Sequence, residues 1–279
     1  MDLNTLYDSI EQKAAQSITA DVGDYVVDGL LYCGKCNTPK QCRVELFGQI
    51  RTPFCICKCE KERREKEDEA RKQRERERQI KEMRRVGFPE SEMQKWTFAR
   101  DDRANAKVSG VMLNYTENFG KFYEKGKGLL LYGNVGTGKT FAAACVANAL
   151  IDRGYPCLMT NFARLTNTIS GMFEGKQEYI DSLNRFSLLI IDDLASERDT
   201  EYVGEIVQNV IDARYRSGLP LIVTTNLTGE ELKSPADMRK KRLYSRLLDM
   251  CIPLEVTGAD RRRLKCKEDY DEYKNILGL

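Results

Sequence analysis

The chain has 279 residues, of which 32% are charged, yet acids and bases cancel to a net charge of +2. That balance excludes a globally basic nucleic-acid protein, so any basic surface must be local. No stretch approaches the roughly 18 to 20 apolar residues needed to cross a bilayer, and residues 1–20 lack a signal-peptide core. A cytoplasmic location with no membrane partner is therefore expected.

Three regions follow one another. Residues 1–59 hold six of the 10 cysteines, and the chain has 0 histidines. Disulfides are rare in a cytosolic chain, so clustered cysteines point to metal. Cys33-x-x-Cys36 has the form of a zinc knuckle, with Gly34 permitting the tight turn. Tetrahedral Zn²⁺ takes four ligands, and we assign Cys33, Cys36, Cys57 and Cys59, leaving Cys42 and Cys55 as alternates. The segment is too short for a good apolar core, which favours a structural metal. Unligated thiols and an iron–sulfur cluster are the competing readings. Cys145, Cys157, Cys251 and Cys266 are dispersed and expected simply to pack.

Residues 60–85 are almost all strong helix formers, with opposite charges three or four apart and almost nothing apolar. Such a helix buries no face of its own and reads as a charged helical linker. Acids nearly match bases there, which argues against a basic nucleic-acid tail.

From residue 86 to 279 short apolar strands alternate with helices. Strands are predicted at Gly128–Tyr132, 157–160, 186–191 and Leu221–Thr225. Helices are predicted at 140–151, 202–217 and Met238–Met250. The alternation implies an α/β domain, a parallel sheet flanked by helices on both faces. Gly133-Asn134-Val135-Gly136-Thr137-Gly138-Lys139-Thr140 fits the phosphate-binding P-loop at every fixed position, between a strand and a helix. Glycines let amides turn inward on phosphates, the helix adds its N-terminal partial charge, and Lys139 neutralises the β and γ phosphates of ATP. Thr140 offers a hydroxyl to Mg²⁺. Leu188-Leu189-Ile190-Ile191-Asp192-Asp193 carries carboxylates to the C-terminal edge of the sheet, where ligands bind in open α/β folds. Asp192 is expected to hold Mg²⁺ and Asp193 to orient the attacking water. An ordinary strand end with acidic caps is the bland alternative.

The order of these parts resembles the DnaC-type helicase loaders and their IstB-like transposase-helper relatives, both AAA+ ATPases. The resemblance covers about residues 86–263. Its markers are Gly87-Phe88-Pro89, Trp96-Thr97-Phe98, the P-loop, Leu189 to Leu194, Thr224-Thr225-Asn226 and Arg242 to Arg246. The cysteine module is similar to that of loaders in phages and mobile elements of Gram-positive bacteria. The resemblance implies that Asn226 is sensor 1, contacting the γ-phosphate or the lytic water. It implies an arginine finger at Arg246, with Arg242 as the fallback, acting on a neighbouring subunit in an ATP-dependent homo-oligomer. It implies a sensor 2 arginine, placed at Arg262 with Arg263 close behind, where relatives often carry Ser-Tyr-Arg. Most AAA+ proteins have glutamate where this chain has Asp193, a shorter acid that bears on the hydrolysis rate. The implied partners are a replicative DNA helicase and single-stranded DNA. Arg164, Lys176 and Arg185 lie where relatives carry a DNA-contacting insert, and Phe162, Phe173 and Tyr179 are stacking candidates unless they are core. A transposition helper and a nucleotide-dependent adaptor with negligible turnover are the competing functions.

Overall fold

The structure, a computed structural model, describes residues 21–46, 48–194, 201–235 and 237–278. The reading made of residues 1–20 lies outside them. Two compact units meet in the chain at Glu77 and Arg78. Among the described residues no helix is long and apolar enough to cross a membrane.

The first unit opens with two antiparallel hairpins. β1 (Tyr25–Val27) pairs with β2 (Leu30–Tyr32), and β3 (Val44–Leu46) pairs with β4 (Gln49–Arg51). An internal ion pair stands where a larger unit would have an apolar core. Lys40, 5% exposed, reaches Asp24 at 2.5 Å and Asp21 at 3.1 Å. This partnership raises the Lys40 pKa and lowers that of Asp24. The helix α1 (Lys58–Gly87) follows. Arg63 pairs along it with Glu60 and Glu67, and Arg71 with Asp68. Such pairs add a few tenths of a kcal/mol each, about 0.2–0.5, to a helix that has little to bury.

The second unit is built on a five-stranded parallel sheet in the order β6-β7-β8-β5-β9. The strands are β5 (Gly128–Tyr132), β6 (Cys157–Asn161), β7 (Leu188–Leu194), β8 (Leu221–Thr225) and β9 (Cys251–Glu255). Strand side chains alternate between two cores. Leu130, Leu189, Ile191 and Val223 face one, and Leu129, Leu131, Ile190 and Ile222 face the other. The first core is closed by α5 (Phe162–Ser170), α6 (Lys176–Ser182), α7 (Glu201–Ser217) and α9 (Met238–Met250). The second is closed by α2 (Ala106–Glu117), α3 (Phe119–Glu124) and α4 (Lys139–Asp152). α4 lies close to the sheet because Ala143, Ala144 and Ala147 present no bulk. α8 (Gly229–Lys233) is a single turn with a Thr228 capping box, and α10 (Arg261–Leu277) ends the chain. The parallel sheet with helices on both faces is the predicted architecture.

A buried guanidinium ties the strand beginnings together. Arg214, 1% exposed, donates to the carbonyls of Phe186 at 3.0 Å, Ser187 at 3.1 Å and Pro220 at 2.7 Å. Burial pulls its pKa down to about 10. Cys145, Cys157 and Cys251 are buried as expected, whereas Cys266 is exposed on α10.

Candidate functional site

β5 sits between β8 and β9 in the sheet, although β6 follows it in the chain. The loop after β5 therefore opens at the point where strand order reverses, the standard ligand position in such sheets. Residues 133–138 form that loop, and a cavity of about 470 Å³ lies over it. The close packing explains the glycines. Gly136 has φ 77, and a Cβ there would collide with the Asp260 carboxylate. Gly138 caps α4 without a side-chain acceptor, so the helix N-terminus is left to the cavity.

Lys139, 7% exposed, donates from Nζ to the carbonyls of Gly133 at 2.8 Å and Asn134 at 2.7 Å. Its third bond goes to Asn226 Oδ1 at 2.9 Å. Asn226 Nδ2 in turn donates to Asp193 Oδ1 at 2.9 Å. A lysine, an amide and a carboxylate are thus linked in series. Burial pulls the Lys139 pKa down, opposed by Asp193 and Asp192. Burial pushes the Asp192 carboxyl up, opposed by hydrogen bonds from Thr224 and Thr140. Thr140 donates to Asp192 Oδ1 at 2.9 Å. A hydroxyl and a carboxylate side by side, close to the P-loop lysine, are hard oxygen donors of the kind Mg²⁺ takes with a nucleotide. The residues present fit that group.

Of the residues selected from sequence, the P-loop from Val135 to Thr140, Asp192, Asp193, Asn226 and Arg262 all border this cavity. Gly133 and Asn134 meet it through the Lys139 ammonium. Arg246 lies outside the lining, and its guanidinium is engaged by Asp212 of α7. Arg263 is exposed and sits 3.6 Å from Asp260. Five bordering residues were not foreseen, Arg100 among them. Arg261 borders the cavity, donates its N–H to Gly136 O at 3.0 Å and pairs with Asp102. Thr224 donates to Asp192 Oδ1 at 2.6 Å and accepts from the Asp193 N–H at 2.9 Å. Trp96 and Phe141 border the same cavity with ring centroids 5.8 Å apart. The Thr224-Thr225-Asn226 and Trp96-Thr97-Phe98 strings were the available signals.

The first unit brings together the four selected thiols. The sulfurs of Cys33, Cys36, Cys57 and Cys59 all lie within 4.8 Å of one another. Cys33 and Cys57 stand 3.6 Å and 3.5 Å from Cys59. Four thiolates at a Zn–S length of about 2.3 Å would place sulfurs about 3.8 Å apart, so this set fits zinc. Gly34 has no alternative, because a Cβ would collide with the Gly23 carbonyl. The Thr38 hydroxyl, 3.0 Å away, and the Cys59 amide hold Cys36 down to about 5. Neighbouring sulfurs push Cys59 up to about 12. Cys42 and Cys55 stand outside the cluster, their thiols directed at the carbonyls of Pro53 and Pro39.

Between β6 and β7, Phe162 is 1% exposed and belongs to the core, while Tyr179 packs partly against it. Phe173 is fully exposed in the turn between α5 and α6. The Lys176 ammonium lies 5.6 Å over the Tyr202 ring, and Arg164 and Arg185 are exposed.

Residues 63–269 match the family model described as IstB-like ATP binding protein. The chain is 28% identical over 167 residues to the replicative helicase loader DnaI of Bacillus subtilis, a match covering 54% of each chain. It is 28% identical over 104 residues to the replicative helicase loader DnaC of Escherichia coli K12, covering 36% of this chain and 42% of that one. The chain thus spans about half the length of the curated relatives it matches. A crystal structure of DnaI superimposes with a TM-score of 0.53 at 24% identity, covering 64% of this chain and 98% of that one. The chain belongs to the IstB-like ATP binding protein family, in the DnaC/IstB group of AAA+ proteins.

Proposed function

We propose that this chain is an ATP-dependent loader that binds a replicative DNA helicase and single-stranded DNA. The observation that supports the reading is the sequence likeness to two replicative helicase loaders, DnaI and DnaC. In this reading residues 86–279 act as the ATPase domain, 60–85 as its linker and 1–59 as a zinc-stabilised helicase-binding module.

Bound Mg·ATP supplies the phosphoanhydride bond and the negative charge that the site is shaped to receive. Lys139, the loop amides and the N-terminus of α4 hold the phosphates, and Thr140 and Asp192 hold the metal. Asp193 orients water, with Asn226 fixing its carboxylate. Arg262 acts on the phosphates from α10, and Arg246 acts on the site of a neighbouring copy. The proposed hydrolysis is slow and regulatory, since Asp193 is shorter than the glutamate common in AAA+ proteins.

The family model favours one competing reading, an IstB-like transposition helper. Capture experiments with the full chain, with and without ATP, against the replicative helicase and the transposase of the same genome separate the two. ATP-dependent retention of helicase supports the loader. Retention of transposase alone refutes it.

A further inference from the structure

β7 carries two adjacent acids, and adjacent residues on a regular strand point to opposite faces. Asp192 and Asp193 nevertheless border the same cavity. The cause is local. β7 pairs with β8 in step at Ile190↔Ile222 and Ile191↔Val223, then resumes at Leu194↔Thr225. Two residues of β7, Asp192 and Asp193, therefore stand opposite one residue of β8, Thr224. This is a bulge, the usual device for re-aiming a side chain beside a site. Asp193 carries the conformational burden with φ 61, in the left-handed region that non-glycine residues avoid. Such a conformation persists only where the surroundings hold it.

Thr224 helps to hold it, beside the Asn226 amide on the Asp193 carboxylate. A bulge interrupts the ladder, and the Asp193 N–H finds the Thr224 hydroxyl in place of a strand carbonyl. The same hydroxyl, on a side chain 2% exposed, donates to the Asp192 carboxylate. One buried oxygen thus fixes the backbone of the second acid and the side chain of the first. We propose that Thr224 is a positioning residue of the nucleotide site, setting Asp192 toward the metal and Asp193 toward water as one unit. The proposal rests on the reading that these acids serve Mg·ATP.

The test uses the full chain with Thr224→Val and Thr224→Ser. Valine keeps the shape and β-branching but removes the hydroxyl, while serine keeps the hydroxyl. The readouts are affinity for a fluorescent ATP analogue in EDTA and in Mg²⁺, affinity for Mn²⁺ in the presence of a non-hydrolysable analogue, and turnover. Thr224→Val is expected to lower affinity in EDTA far less than affinity in Mg²⁺. The gain on adding metal should fall about tenfold or more, the scale of a hydrogen bond to a charged group. Turnover should fall with it, and Thr224→Ser should restore both. Should valine not fold, Thr224→Ala deletes the same hydroxyl and is read identically. Wild-type metal response in the hydroxyl-deleted chain overturns the proposal, as does a folded serine variant that behaves like valine. The parent reading is tested separately by the unmodified chain: ATP affinity indifferent to Mg²⁺ refutes it before any variant is compared.

Discussion

The guanidinium of Arg246 on α9 closes on the carboxylate of Asp212 on α7, so the arginine proposed to act on a neighbour is engaged within its own chain. Its side chain is 37% exposed and that of Asp212 17%, so the pair is worth at most about 1 kcal/mol. Contact with a neighbouring phosphate can displace it. Arg246→Ala should spare ATP binding and lower turnover by about 10³-fold, with loss of ATP-dependent assembly. Asp212→Asn should raise assembly and turnover by up to about fivefold, the factor that 1 kcal/mol allows. Phosphate release and sedimentation across protein concentrations check both. A decline in Asp212→Asn as deep as in Arg246→Ala would instead show that Asp212 presents the arginine.

What the sequence made legible is what backbone geometry restricts to few residue types. Gly136 could be read because its neighbours leave no room for a Cβ, and the cysteine set because Cys33-x-x-Cys36 closes only through Gly34. The strand at 186–191 was read by its apolar run, which stops at the acids, whereas β7 continues through a bulge to Leu194. A bulge is a property of two strands and leaves no mark on one, so Thr224 was read as part of a motif but its contact with both acids was not. β9 was missed because Cys251-Ile252-Pro253-Leu254-Glu255 contains proline, tolerated here at the edge of the sheet. Within Asp260-Arg261-Arg262-Arg263 the run could not tell which side chain faces the loop, since that depends on where α10 begins.

Lys139→Ala should sharply weaken ATP binding. The ammonium is buried against two loop carbonyls and Asn226, so its removal takes a preorganised cation from the phosphates. Charge-assisted hydrogen bonds are worth about 1.5–3 kcal/mol, which sets a loss of roughly 10- to 150-fold. Isothermal titration with ATP and Mg²⁺ measures it, and wild-type affinity in the variant would remove the P-loop assignment.

The full chain should contain one zinc per molecule by elemental analysis, as four clustered thiolates require. Chelation should unfold the hairpins of the first unit while the parallel sheet persists, since metal binding there is folding free energy. Thiolates must be deprotonated to hold zinc, so protons compete with the metal for the four ligands. Zinc release followed by a chromogenic chelator should therefore rise on acidification. Metal-free protein with intact hairpins and free thiols would remove the zinc assignment.

Trp96 is the only tryptophan of the chain and borders the nucleotide cavity, so ATP should change its intrinsic emission. Asn148, 1% exposed, donates from Nδ2 to Met93 O at 2.9 Å and Trp96 O at 2.8 Å, pinning that segment to α4. Asn148→Ala leaves those carbonyls without this donor and should cost about 1–3 kcal/mol of stability. The emission change should shrink in Asn148→Ala and need roughly 10- to 150-fold more ATP in Lys139→Ala. An emission change that keeps the wild-type ATP dependence in Lys139→Ala would mean that the tryptophan reports on something other than this site.

Single-stranded DNA should bind in an ATP-favoured, salt-sensitive manner, with Phe173 as a stacking residue. Of the three aromatics considered, Phe162 is committed to the core and Tyr179 packs partly against it. Phe173 alone of these is fully exposed, between Gly171 and Gly175, with Lys176 three residues on. Stacking on an aromatic ring is worth about 1–3 kcal/mol per base, so Phe173→Ala should weaken binding by roughly 5- to 150-fold. The exposed Arg164 and Arg185 would supply phosphate contacts, and these would carry the salt dependence. With a net charge of only +2, one copy should bind weakly. Assembly through Arg246 would set several copies along one strand, so that weak contacts add by multivalency. Affinity should therefore rise with ATP and with protein concentration together, and Arg246→Ala should lose that rise while keeping the weak single-copy binding. Fluorescence anisotropy with labelled strands at two salt concentrations measures all of this. Equal affinity for duplex and single strand, or indifference to ATP, would favour the nucleotide-dependent adaptor over the loader.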